Sequence, residues 1–397
     1  MKKFKRIFML VTDGLGIGEE PRQEEFNDKG ANSFLHASEV LEFEIPTWKK
    51  LGICEIAKIA DHHKKNKNPL AYMARIHEMS NGKDTLTGHW EMMGILTEVP
   101  SPQFIENGFP DDLIVKLSKA WDGRKLIGNR AASGTVILKE LGQRSLETGE
   151  IIVYTSADST LQICGHEKYL GLDKLYEYAK KARQICSSKP EWNVARVIAR
   201  PYVGENGEFT RTFNRHDYAN KPPKKTLLNQ LQEKGIQTVG VGKIKDIFTG
   251  EGIDVVYGPA SDDENMDIAI DIATQNTENQ FVFVNLVQFD SHYGHRRDAQ
   301  GYSENISRFD IKLTKLINAM KDDDLLLITS DHGNDPTWKG SDHTREALPL
   351  TIFAKSFKKP QIFNRPLNGL GTAGNIIAKN FGCNLLETGE DIFEELI

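Results

Sequence analysis

Cysteine is scarce in this chain. The four present, Cys54, Cys164, Cys186 and Cys383, lie far apart and form no Cys-x-x-Cys pair. That spacing excludes a thiolate zinc site and a local redox dithiol, and leaves buried or half-buried free thiols. Long apolar runs are missing as well: no stretch approaches the ~20 apolar residues of a membrane span. The opening MKKFKRIFMLV starts like a secretory leader, but its apolar part covers only residues 7–11 before Thr12-Asp13-Gly14. A leader needs roughly 7–15 apolar residues and a small-residue cleavage site. The segment therefore reads as a buried first strand, in a cytoplasmic protein that does not associate with membranes. Positive charge is also short, with 50 Lys and Arg against 56 Asp and Glu and a net charge of −6. No basic field is available to hold nucleic acid, so an anionic ligand would need local cations or metal ions. Neither an internal repeat nor a low-complexity tract occurs.

What the chain does have is ordinary globular composition, 39% hydrophobic and 27% charged over 397 residues, enough for two or three domains. Short apolar runs stop at acidic residues. Residues 7–11 lead to Asp13, 281–287 to Asp290 and 325–328 to Asp331. Continuous apolar runs of this length suit strands buried on both faces. Helix-like stretches at 266–274 and 303–321 lie between them. The alternation predicts an α/β core with a central, mostly parallel sheet flanked by helices. Ligands of such sheets bind beyond the carboxyl ends of the strands, where the three acidic residues fall. The middle of the chain has its own strands, at 151–154 and 194–199. It is bracketed by proline-rich punctuation, Val99-Pro100-Ser101-Pro102 and Lys221-Pro222-Pro223-Lys224. Residues 98–218 are accordingly expected to form an inserted α+β domain, with 1–97 and 219–397 forming the core.

Carboxylates and imidazoles gather at the strand ends: Asp13, Asp290-Ser291-His292-Tyr293-Gly294-His295, Asp331-His332-Gly333 and Asp342-His343-Thr344. This mixture suits Mn²⁺, Zn²⁺ or Fe²⁺ better than Ca²⁺ or Mg²⁺, which prefer oxygen alone. Taken singly, an Asp–His pair on a loop or an Asp after a strand commonly caps a helix. Four clusters at the strand ends of one core point to a metal centre. Lys83-Asp84-Thr85-Leu86-Thr87-Gly88-His89-Trp90-Glu91 enters a helix-like stretch. A hydroxyl at a helix N-terminus facing a metal is placed to attack phosphorus; the alternative is that Thr85 or Thr87 only caps the helix.

Further motifs carry a resemblance. They include His77-Glu78-Met79-Ser80, Gly82-Lys83-Asp84-Thr85, Gly88-His89-Trp90-Glu91, Ser133-Gly134-Thr135 and Tyr154-Thr155-Ser156-Ala157-Asp158-Ser159. Arg196-Val197-Ile198-Ala199-Arg200-Pro201, Asn214-Arg215-His216-Asp217, Val241-Gly242-Lys243-Ile244, Tyr293-Gly294-His295-Arg296-Arg297-Asp298 and the segment from Asp331 to Glu346 continue them. Along nearly its whole length the chain resembles phosphopentomutases, of the alkaline-phosphatase superfamily. The resemblance implies an alkaline-phosphatase-like core with an inserted cap domain that contacts substrate and keeps water out. It implies an isomerase of pentose phosphate and nucleoside metabolism, interconverting ribose 1-phosphate and 2-deoxyribose 1-phosphate with the 5-phosphates. The route would pass through a phosphothreonine enzyme and a 1,5-bisphosphate.

By the same resemblance, Asp13, Thr85, Asp331 and His332 hold one divalent metal and Asp290, His295 and His343 another, both Mn²⁺. Thr85 carries the phosphate. Ser156, Asp158, Arg196, Arg211 and Lys243 contact the sugar phosphate, a sugar 1,6- or 1,5-bisphosphate primes the enzyme, and the chain works as a monomer. Four positions depart from the family's usual residues: Gly14, Leu86, Thr160 and Gln288. Gly14 is closer to cofactor-independent phosphoglycerate mutases, which remain an alternative beside a two-metal phosphatase or phosphodiesterase.

Overall fold

The computed structural model describes residues 3–60, 68–156 and 159–396. It divides into two compact units, one made of 1–99 and 222–397 and the other of 100–221. In chain order the strands are β1 (Arg6–Thr12), β2 (Tyr72–His77), β3 (Leu126–Ile127), β4 (Ile151–Tyr154), β5 (Thr160–His166), β6 (Arg196–Glu205) and β7 (Glu208–Arg211). They continue with β8 (His216–Ala219), β9 (Gln237–Val241), β10 (Val255–Tyr257), β11 (Gln280–Leu286), β12 (Asp324–Thr329), β13 (Leu348–Phe353) and β14 (Leu367–Asn368).

The first unit carries an eight-stranded sheet in the order β10-β9-β11-β1-β12-β13-β2-β14. All neighbouring pairs are parallel except the two that involve β13. Successive residues of the central strands enter opposite cores. Phe8, Leu10, Val282, Val284, Leu326 and Ile328 pack on one face. Ile7, Met9, Val11, Phe281, Phe283, Leu325 and Leu327 pack on the other. This double burial is why the strands read as unbroken apolar runs rather than as alternations. The helices Asp262–Thr274 and Ala299–Ala319 supply part of the first core, and the helix Gly371–Phe381 part of the second.

The second unit is a mixed sheet, β3-β4-β5-β6-β7 with β8 also paired to β6. The helix Leu172–Cys186 buries its apolar side against it. Cys54, Cys164 and Cys186 are free and buried, and Cys383 is free and half-buried. Burial pushes the Cys164 thiol up to about 12, so it is a packing residue rather than a nucleophile. Among the described residues no helix is long and apolar enough to cross a membrane.

Candidate functional site

Sheet direction gathers the acidic and imidazole residues. β1, β11 and β12 run parallel, so Asp13, Asp290 and Asp331 leave the sheet at one edge. β13 runs antiparallel to β12, so its start, preceded by His343, lies at that same edge. β2 is antiparallel to β13, and its end therefore leads Thr85 there too. Asp290 sits in a π-helical turn, Phe289–Gly294, with His295 just beyond it.

The side chains converge in two adjoining groups. In one, His332 Nε2 lies 3.3 Å from Asp13 Oδ1, 3.4 Å from Asp331 Oδ2 and 3.2 Å from Thr85 Oγ1. In the other, Asp290 Oδ1 lies 3.2 Å from His343 Nε2, Asp290 Oδ2 lies 3.3 Å from His295 Nε2, and the two Nε2 atoms are 3.1 Å apart. The His332 and His343 rings stack with centroids 3.9 Å apart, so the groups abut. Asp290 also falls within 4.8 Å of the donor atoms of Asp13 and His332, which places its carboxylate between the groups.

Each of the three imidazoles donates from Nδ1 to a backbone carbonyl. The acceptors are Gly333 for His332 (3.1 Å), Ser341 for His295 (2.8 Å) and Lys83 for His343 (2.9 Å). The lone pairs of Nε2 consequently point inward at carboxylates, which also only accept. Acceptors packed at 3.1–3.4 Å around a common point require a cation. Such spacings suit donors sharing an ion at bond lengths of about 2.0–2.2 Å. Asp13 Oδ1 and Asp331 Oδ2 are buried and have no hydrogen-bond partner, a costly arrangement unless they bind a metal. The residues present therefore fit a pair of divalent ions.

The electrostatics agree. Burial alone would raise the Asp290 carboxyl, but the His343 and His295 imidazoles outweigh it and hold it well below the usual range. Burial would lower His332, yet the Asp331 and Asp13 carboxylates overcome it and raise its pKa, the mark of a negative field that a divalent ion would neutralise in place of a proton.

Thr85 opens the helix Thr85–Met92, but neither it nor Thr87 caps it. Asp84 does, accepting from the Thr87 N–H at 3.1 Å. The Thr87 hydroxyl is spent on Asp84 Oδ2 at 2.6 Å, whereas that of Thr85 faces His332. Of the four departures, Gly14 is explained by its backbone. Its φ of +82° lies in the left-handed region, and a Cβ there would crowd Asn334 and Asp290. Leu86 packs on the apolar core. Gln288 exchanges hydrogen bonds with Asp262, its side chain accepting from the Asp262 N–H and its own N–H reaching Asp262 Oδ1.

The residues expected to contact substrate are less tightly grouped. Thr160 pairs with Arg196 across β5 and β6, and its hydroxyl is 2.9 Å from Ser156 Oγ, which brings Ser156 and Arg196 to one end of these strands. Arg211 pairs with Tyr202, six residues further along β6, about 20 Å at strand rise. Its guanidinium nonetheless turns back toward the Tyr154 hydroxyl, since a Cβ on Gly134 would meet both. Asp158 lies outside the described residues. Lys243 belongs to the first unit, after β9, beside His292, whose pKa is lowered by burial and then by Arg296 and Lys243.

Several contributors were not singled out from the sequence. Asn334 donates to Asp290 Oδ1 at 2.7 Å and accepts from Arg297 at 2.6 Å. Glu346 ties together Ser33, Gly18 and Thr344 behind the site, and burial pushes it up to about 7. Arg215 grips Asp217 with two bonds of 2.6 Å, and Asp217 lies 3.9 Å from Arg196. In sequence these residues appeared only inside longer motifs, Asn334 and Glu346 in the segment from Asp331 to Glu346 and Arg215 and Asp217 in Asn214-Arg215-His216-Asp217, with no role attached.

Comparison with known proteins matches residues 5–385 to the metalloenzyme superfamily. The chain is 63% identical over 396 residues to a phosphopentomutase of Mycoplasmopsis pulmonis, covering all of both chains. It is 48% identical over 403 residues to the phosphopentomutase of Clostridium tetani, again covering all of both. Among solved structures, a phosphoglycerate mutase of Leishmania mexicana overlaps 98% of this chain and 97% of its own at 12% identity, with a TM-score of 0.49.

Proposed function

The chain belongs to the phosphopentomutase family within the metalloenzyme superfamily, and from that premise we propose that it interconverts ribose 1-phosphate and 2-deoxyribose 1-phosphate with the 5-phosphates. Thr85 is the phosphate carrier in this reading. The observation that carries it is the Thr85 hydroxyl, uncommitted to capping, at the head of a helix and 3.2 Å from His332 Nε2. The first helical N–H groups and the helix dipole favour phosphate at that place.

The phosphoryl group leaves Thr85 Oγ1 and bonds to the free hydroxyl oxygen of the sugar monophosphate, giving a 1,5-bisphosphate. The sugar reorients, and its other phosphoryl group returns to Thr85 Oγ1. Each half breaks one P–O bond and forms one, so the enzyme is regenerated without water. Asp13, Thr85, Asp331 and His332 would hold one divalent ion and Asp290, His295 and His343 a second, with Asp290 near both. These ions, Mn²⁺ in this reading, supply charge stabilisation to the attacking and leaving oxygens. Arg196, Arg211 and Lys243 provide cations for the phosphates; Ser156 and Asp158 provide polar groups for the sugar hydroxyls. Residues 100–221 serve as the substrate domain, a sugar bisphosphate primes Thr85, and the enzyme acts as a cytoplasmic monomer.

A hydrolase could use the same metal ligands. Isomerisation of ribose 1-phosphate, followed beside release of inorganic phosphate, separates the two. The expected result is 5-phosphate formation with phosphate release much the slower of the two, as water exclusion requires. Phosphate as the main product would overturn the mutase reading.

A further inference from the structure

Behind the first ligand group lies a buried imidazole that holds no place in the proposed chemistry. His89 is completely buried on the helix Thr85–Met92, four residues after Thr85. Its helix presses on the strand-end loop so closely that a Cβ on Gly88 would stand 2.1 Å from the Asp331 carbonyl oxygen. His89 Nδ1 donates to the Thr85 carbonyl at 2.9 Å, with Asp331 Oδ2 beside it at 3.1 Å. On the other side of the ring, Nε2 is 3.4 Å from Asn285 Nδ2. The same amide nitrogen reaches Asp13 Oδ2 at 2.8 Å.

Donor and acceptor accounting fixes the arrangement. An Asn amide nitrogen has two hydrogens and no acceptor, so one goes to Asp13 and the other to His89 Nε2, which must then accept. The ring proton therefore sits on Nδ1, where the Thr85 carbonyl takes it. Asp331 Oδ2 keeps its lone pairs, consistent with its having no hydrogen-bond partner of its own. Phe283, with its ring centroid 5.7 Å away, closes one side of the imidazole.

We propose that His89, acting with Asn285, is a positioning residue that fixes Asp13, Asp331 and the Thr85 turn in the geometry needed to bind the first metal ion. One ring touches two members of that ligand group and, through a single amide, a third. An ordinary core histidine would need only to satisfy its own two nitrogens. This one spends the first on the Thr85 carbonyl and the second on the Asn285 amide that also holds Asp13. The inference rests on the ligand assignment proposed above.

The test is Mn²⁺ binding to the full chain stripped of metal, by calorimetry, with far-UV circular dichroism to establish folding. Wild-type protein should bind two ions; fewer would contradict the ligand assignment itself rather than the role of His89. With two bound, His89→Leu should weaken one site about 10–100-fold, the range for loss of a group that orients metal ligands, and spare the other. His89→Asn, whose amide can donate where Nδ1 does, should recover part of that loss. Should His89→Leu fail to fold, Asn285→Ala, which removes only the arm to Asp13, should weaken the same single site. Wild-type affinity at both sites in folded His89→Leu or Asn285→Ala, or equal weakening of both sites, would overturn the proposal.

Discussion

Thr85 and Thr87 show how far local chemistry alone can be read. They share a side chain and stand two residues apart, yet one hydroxyl is consumed by Asp84 and the other is presented to His332. The local residues place both at a helix start but do not say which faces the candidate metal ligands, because that depends on how the helix docks; only the family resemblance singled out Thr85. The same limit hid His89, Asn285 and Asn334, whose partners are as far as 272 residues away along the chain. Asp13, Asp290 and Asp331 were legible because an acid after an apolar run is a local pattern. Asp262 makes a prediction at this scale. Burial, with the Asp13 and Asp263 carboxylates adding to it, pushes it up to about 7 against the hydrogen bonds from Asn305 and Gln288. A carboxyl whose folded pKa exceeds its unfolded value of ~3.9 stabilises the fold fully below about pH 4 and loses that contribution as the pH rises to about 7. Asp262→Asn has no such titration. The unfolding free energy of the metal-free variant, relative to wild type, should therefore rise between pH 4 and pH 8, by an amount on the order of a few kcal/mol. A pH-independent offset would show that Asp262 does not titrate in this range.

Among the elements, the helix Thr85–Met92 is placed by absence of a side chain. Gly88 faces the Asp331 carbonyl, and the clash that a Cβ would cause is with backbone, which cannot swing aside. In an exposed helix, Gly→Ala gains about 1 kcal/mol. Here overpacking, typically about 1–3 kcal/mol, should exceed that gain. Gly88→Ala is expected to lower the urea midpoint and to reduce Mn²⁺ affinity by moving Thr85 and His89 away from the loop. A more stable variant with unchanged Mn²⁺ binding would mean that the helix is not seated against the Asp331 carbonyl. The reversed strand β13 was invisible in the sequence: a run such as 348–353 reads the same in either direction. Yet it is this reversal that brings His343 to the edge where the other ligands end. Helix ends were also blurred. The stretch read as 303–321 forms Ala299–Ala319, starting at the side-chain cap of Asp298.

The whole molecule shows a different balance. Its core was readable because runs such as 7–11 and 325–328 are buried on both sides of one sheet, and that pattern specifies a mostly parallel α/β arrangement. The boundaries at 98 and 218 were read from proline punctuation, and the compact units divide at 99/100 and 221/222. The arginine cluster of the second unit was less readable, because Arg200, Arg211 and Arg215 converge around Tyr154 only after β4, β5, β6 and β7 have paired. The proposed mechanism turns on Thr85 carrying a phosphoryl group between two positions of one sugar. The direct measurement is to incubate the metal-loaded enzyme with a labelled ribose 1,5-bisphosphate and locate the label by mass spectrometry, in wild type and in Thr85→Ala and Thr87→Ala variants, alongside the isomerisation rate. The account predicts label on Thr85 in wild type and in Thr87→Ala. It predicts none in Thr85→Ala, with isomerisation there reduced by several orders of magnitude, on the order of 10³-fold or more. Label on Thr87, or isomerisation by Thr85→Ala at near the wild-type rate, would contradict it.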